Sequence, residues 1–155
     1  MKITLKSLSQ KFDSLQDQVT KIASQLPEPP KTSNFLYKGD GTILDKEMNL
    51  VWAKEGSAKE MNWEDAKKYC EENKAGLPGT GWRMPTRKEL ASLVDDTRYN
   101  PAINPIFSCQ SSNYWSSTRH ASYSDGAWSV DFSGGYVYWN YTGGKYCVRP
   151  VRQNS

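Results

Sequence analysis

Trp128-Ser129-Val130-Asp131-Phe132 alternates in side-chain character, and Gly134-Gly135 follows it. Tyr136-Val137-Tyr138-Trp139-Asn140-Tyr141 then alternates again, up to Gly143-Gly144. Period-two alternation broken by paired glycines reads as antiparallel strands joined by tight turns. Cys147-Val148-Arg149-Pro150-Val151 follows as a further strand, expected to close the same sheet. Between Asn113 and Tyr146 stand ten aromatics and four formal charges, Arg119, Asp125, Asp131 and Lys145. Ser, Gly and Asn fill most of the rest.

Upstream, the signals change. Phe35 to Ile43 carries Gly39-Asp40-Gly41, a turn between two short strands, and Leu50-Val51-Trp52-Ala53 reads as another strand. Asn62 can cap a helix whose Trp63, Ala66, Tyr69 and Cys70 share a face. Thr86-Arg87-Lys88-Glu89 has capping-box spacing after Pro85, with Leu90, Leu93 and Val94 as the buried stripe. Two helices followed by an antiparallel sheet predict an α+β head over residues 34–155.

The first 26 residues have a different period. Leu5, Phe12, Val19 and Leu26 fall seven apart, with Leu8, Leu15 and Ile22 between them, in the three-four spacing of a coiled-coil seam. The stripe is narrow, which favours self-association over packing on the chain's own head. Pro27, Pro29 and Pro30 make residues 27–33 a stiff spacer. The expected layout is an oligomerising helix at 1–26, a Pro-rich linker and a ligand-binding head.

Composition narrows the function. The chain has 155 residues, a net charge of +3 and 12% aromatics. The charge is spread rather than gathered in a basic patch, so no nucleic-acid partner is expected. No apolar run is long enough to insert in a membrane. The N-terminus does not read as a secretory leader, so export would use another route or a particle. The three cysteines, Cys70, Cys109 and Cys147, lack metal-site spacing, and there is one histidine. No catalytic residues, metal or cofactor are expected, and the chain is read as a binder rather than an enzyme. Tyrosine among Ser, Gly and Asn is the composition of an adaptable binding surface. Alternation on 136–141 puts Val137 and Trp139 inward and exposes Tyr136, Tyr138 and Asn140. Arg119, His120, Ser122 and Tyr123 in a neighbouring loop, with Tyr141 and Lys145, complete the candidate face. Trp82 reads as core and Arg83 as locally paired.

An ordered set of short pieces also resembles a known family. The pieces are Asp40-Gly41-Thr42, Leu50 to Ala53, Asn62 to Ala66, Gly81-Trp82-Arg83-Met84-Pro85-Thr86, Glu89-Leu90, Tyr99 to Ile103, Tyr114 to Thr118 and Val148 to Arg152. Together they resemble the C-terminal domain of collagen-like bacterial adhesins, a C-type-lectin-like domain, and the variable proteins of diversity-generating retroelements. The resemblance implies a lectin-like head that recognises a protein or glycan on another surface. It also implies a homo-oligomer, with a trimer favoured, displayed on a virion or cell. A fixed trimeric adhesin for sulfated glycans is the alternative. The calcium-binding Trp-Asn-Asp element of sugar-binding lectins occurs only as Trp139-Asn140-Tyr141, so no lectin-type calcium site is expected. The lectin comparison implies a Cys70–Cys147 disulfide, with two buried thiols as the alternative. Formylglycine-generating oxidases share the broad fold and use paired cysteines. The surroundings of Cys109 and Cys147 do not match theirs.

Overall fold

A computed structural model describes residues 4–26 and 33–155. The chain divides into two compact units, residues 1–33 and 34–155. Most of the Pro-rich spacer, including its three prolines, lies outside the described residues.

In the first unit, helix α1 spans Leu5–Gln25. The Thr4 hydroxyl caps it by accepting from the Ser7 amide at 3.2 Å. None of its residues is buried, and the seven seam residues are between 50% and 86% exposed.

The second unit is α+β, with two small antiparallel sheets where the sequence led us to expect one. Strands β1 (Phe35–Tyr37), β2 (Thr42–Asp45) and β3 (Leu50–Ala53) form a meander. Its first turn uses Gly39 and Gly41 at φ of 79° and 84°, where a side chain would be strained. Helices α2 (Trp63–Glu71) and α3 (Arg87–Ala91) follow. Strands β4 (Asn113–Arg119), β5 (Gly126–Asp131) and β6 (Tyr136–Tyr141) make the second meander, in that spatial order. The last strand, β7 (Val151–Gln153), does not close this sheet. It pairs with β3, so the first sheet reads β1-β2-β3-β7. The reason lies in Cys147, which makes a parallel bridge to Tyr114 and hands the chain on to the other sheet.

Alternation along β4 joins the two halves of the core. Tyr114 packs with Ile43, Trp52, Leu90 and Phe132; Trp115 turns the other way, to Trp63, Ala66 and Met84. Buried tryptophans need acceptors for their indole N–H groups. Trp63 finds the Ser116 carbonyl at 2.8 Å, Trp115 that of Met61 at 2.9 Å and Trp82 that of Pro78 at 3.2 Å.

Both helix starts behave as their cap residues predict. The Asn62 side chain accepts from the Asp65 amide at 2.9 Å. At α3 the box is reciprocal: Thr86 Oγ1 accepts from the Glu89 amide, and Glu89 Oε1 accepts from the Thr86 amide. Glu89 also takes a two-pronged bond from Arg83, at 2.8 and 2.9 Å. Burial pushes the Glu89 carboxyl up, but the bonds from Arg83 and Thr86 outweigh it. The net value falls below the ordinary 4.5. Because the folded value is depressed, the stabilisation is present above pH 4.5 and is lost as pH falls towards the lower folded value. In urea titrations over that window, wild type is expected to lose stability more steeply than Glu89→Gln. Parallel curves would remove this carboxylate from the acid response.

Candidate functional site

The surface of interest forms where the β4–β5 loop folds back on β5 and β6. The loop is held by its own short-range bonds. The His120 amide donates to the Gly126 carbonyl, and the Gly126 amide to that of Tyr123. His120 Nδ1 accepts from the amides of Ser122 and Tyr123, at 3.1 and 3.3 Å. The Arg119 guanidinium donates to the Ser124 carbonyl.

These bonds aim the loop's rings at the sheet. The Tyr123 ring stacks on Trp139, with centroids 4.7 Å apart and planes 12° apart. The His120 ring lies over Trp128 at 5.2 Å and against Trp139 at 5.0 Å. Tyr141 meets Trp139 edge-on at 5.4 Å. Arg87, at the start of α3, lays its guanidinium 3.7 Å from the Trp128 ring centre, and its backbone amide is held by Thr118 Oγ1. Gly126 makes room for this packing: a Cβ there would stand 3.1 Å from the Trp139 ring and 3.2 Å from His120 Cβ.

The opposite side of β6 carries Tyr136 and Tyr138, with ring centres 6.1 Å apart. Asn140 shares their side but is half-buried. Its Nδ2 donates to Ser129 Oγ at 2.8 Å, and its Oδ1 accepts from the Tyr146 hydroxyl at 3.2 Å.

The sequence-predicted residues thus fall on two sides of one strand. Tyr136 and Tyr138 are exposed as expected, and Val137 packs towards the core. Two expectations are corrected. Trp139 is not an inward core residue: its side of β6 is met there by the His120–Tyr123 loop instead of the core, so the ring becomes the half-exposed centre of the His120–Tyr123–Tyr141 cluster. Asn140 is tied into the sheet by its amide rather than presented to solvent. Arg119 leans over the Trp63 ring at 4.7 Å, away from the cluster rings. Ser122 lies exposed in the loop, and Lys145 is exposed on the turn after β6. Trp128 and Arg87 belong to the cluster although neither was assigned to it. The capping box that starts α3 places Arg87, and the alternation of residues 128–132 places Trp128.

The three thiols are free. Cys70 lies with Trp63 and Met84, whereas Cys147 lies in the other core cluster, with its sulfur 3.7 Å from Gln110 Oε1. The implied Cys70–Cys147 bridge is not formed, because the two side chains enter different core clusters. Burial pushes both thiols up, away from the reactive thiolate form.

The aromatic surface is shallow. Two clefts, of about 380 and 310 Å³, lie around Glu55 and Gly56, and none of the candidate binding residues lines them. A flat surface rich in half-exposed rings suits contact with another surface better than enclosure of a small molecule. Among the described residues, no helix is long and apolar enough to cross a membrane. No curated protein matches the chain. Residues 41–152 match the model of the Lcl C-terminal domain, a span that begins after β1 and takes in the whole aromatic surface. The chain belongs to the Lcl C-terminal domain family, a C-type-lectin-like family of the retroelement variable-protein kind.

Proposed function

We propose that the chain is a non-enzymatic recognition protein. Its head would engage a protein or glycan on another surface through Tyr123, Tyr136, Tyr138, Trp139 and Tyr141, and α1 would gather the heads into a homo-oligomer. The observation that carries this reading is the exposure of the tyrosines, 49% at Tyr123, 59% at Tyr136, 49% at Tyr138 and 60% at Tyr141. Large rings left in water on a small head are unfavourable unless a partner covers them. Tyrosine also binds with little loss of side-chain freedom. Gathering heads on one stalk multiplies weak contacts. Of the two forms this could take, we favour a retroelement variable protein or viral receptor binder over a fixed adhesin for sulfated glycans. Arg119, His120 and Lys145 are the basic candidates in the tail. They offer little charge for a polyanion, and Arg119 already leans on Trp63.

Deep sequencing of the gene's 3′ end across its source population tests the choice. A variable protein predicts dense substitution at codons 120, 123, 136 and 138, with buried Trp115 and Val148 and the ring-supporting Trp128 unchanged. A uniform 3′ end would favour the fixed adhesin. Salt-sensitive retention on sulfated glycans would then be expected.

A further inference from the structure

The outer edge of β6 is open, and its hydrogen-bond register identifies which groups it offers. The Cys147 amide donates to the Asn113 carbonyl at 3.0 Å, and the Trp115 amide donates to the Cys147 carbonyl at 2.9 Å. Asn113 and Trp115 therefore turn their backbone groups away from β5. The Phe132 amide donates to the Ser112 carbonyl at 3.0 Å, in register with the Tyr114–Val130 pair. Tyr114 and Val130 thus exchange the ladder bonds between β4 and β5. Backbone groups alternate sides along a strand, so Ser129 and Asp131 face β6, opposite Tyr138 and Tyr136. Val137 and Trp139 then point their N–H and C=O groups outward. Among the described residues, no group takes them.

The other edges are managed differently. The outer side of β4 is closed by Cys147. Beside β7, Arg83 and Val151 exchange two backbone bonds, at 2.9 and 3.0 Å. Strand β1 is an edge of only three residues. By contrast β6 has six residues, none charged and none proline, the kind of edge that accepts another strand. Its partial charges complement an extended backbone. The rings of Tyr136 and Tyr138 on one side, and Trp139 and Tyr141 on the other, would flank the added strand's side chains.

We infer that β6 binds an extended, uncharged segment of a partner protein by strand addition, with Val137 and Trp139 supplying the backbone contacts. The inference rests on the recognition role proposed above and adds the class of ligand and the mode of binding. A charged segment would lose solvation against this edge, and proline would lack the donor.

The test uses the full chain and linear peptides selected on it from a random, cysteine-free library. In Val137→Pro the lost N–H is an outward one, so the ladder to β5 is kept while the edge is blocked. Peptide binding should weaken about tenfold or more, with the circular-dichroism spectrum unchanged. Amide exchange on the wild-type chain provides the second reading, independent of whether the proline variant folds: the bound peptide should slow exchange at Val137 and Trp139. Normal binding by a folded Val137→Pro, or unprotected amides, would overturn strand addition. If Tyr123→Ala and Tyr138→Ala still weakened binding in that case, the recognition role would stand. If they did not, both would fall. A library yielding no binder, or protection of these amides by raised protein concentration alone, would also overturn the inference. The latter would make a second copy the occupant.

Discussion

Arg149→Ala is expected to destabilise the head by about 3–5 kcal/mol, from the lost volume of a buried side chain and the loss of its hydrogen bonds to three carbonyls. Arg149 is wholly buried, and among the described residues no ion pair with a carboxylate holds it. Its guanidinium donates to the carbonyls of Ala53 at 2.9 Å, Lys54 at 2.6 Å and Ser108 at 2.8 Å. It also lies 5.3 Å from the Phe107 ring centre and 5.5 Å from that of Tyr114. One planar cation thus ties the end of β3 to the 107–109 loop, at the point where the chain passes from Cys147 to β7. Arg149→Lys keeps the charge but loses the fork, so it should fall between wild type and Ala. Urea denaturation of the full chain, followed by near-ultraviolet circular dichroism, measures the effect. A loss under about 1 kcal/mol for Ala would mean that the carbonyls find other donors and the bridge is dispensable.

In the oligomer proposed above, Leu15→Asp is expected to leave the full chain a monomer. Leu15 sits mid-stripe on α1, and its neighbours Leu8, Phe12, Val19 and Ile22 are all exposed. If the seam packs against copies of itself, each chain loses about 2 kcal/mol of leucine burial and gains a carboxylate facing its equivalents. In a trimer this weakens assembly by roughly four orders of magnitude. Sedimentation velocity reads the change directly. Gln10→Asp adds the same charge off the seam and should leave assembly intact. A wild-type chain that sediments as a monomer at tens of micromolar, or a Leu15→Asp chain that still assembles, would remove the stalk from the proposed function. Separately, multivalent binding should collapse with the oligomer while the single-site affinity of each head stays the same.

Much of the local structure was legible from short stretches. Alternation marked β5 and β6, Asn62 and Thr86 marked the helix starts, and the seven-residue spacing marked α1. These signals work because a residue's effect on its own backbone, cap or face depends on neighbours only a few positions away. Trp82 in the core and Arg83 paired with Glu89 followed the same logic, since the two partners are six residues apart.

What tertiary structure decided was every relation across long separations. It sent β7 to β3 instead of the aromatic sheet, and it placed Cys70 and Cys147 in different core clusters. It gave Arg149, just before β7, a buried role that its residue type does not announce. It also turned Trp139 from a core residue into the centre of a surface cluster. Alternation says that two residues lie on opposite sides of a strand, but which side is covered depends on what packs there. The loop carrying His120 and Tyr123 and the start of α3 carrying Arg87 settle that. Each contact joins parts of the chain whose separation carries no periodic signal.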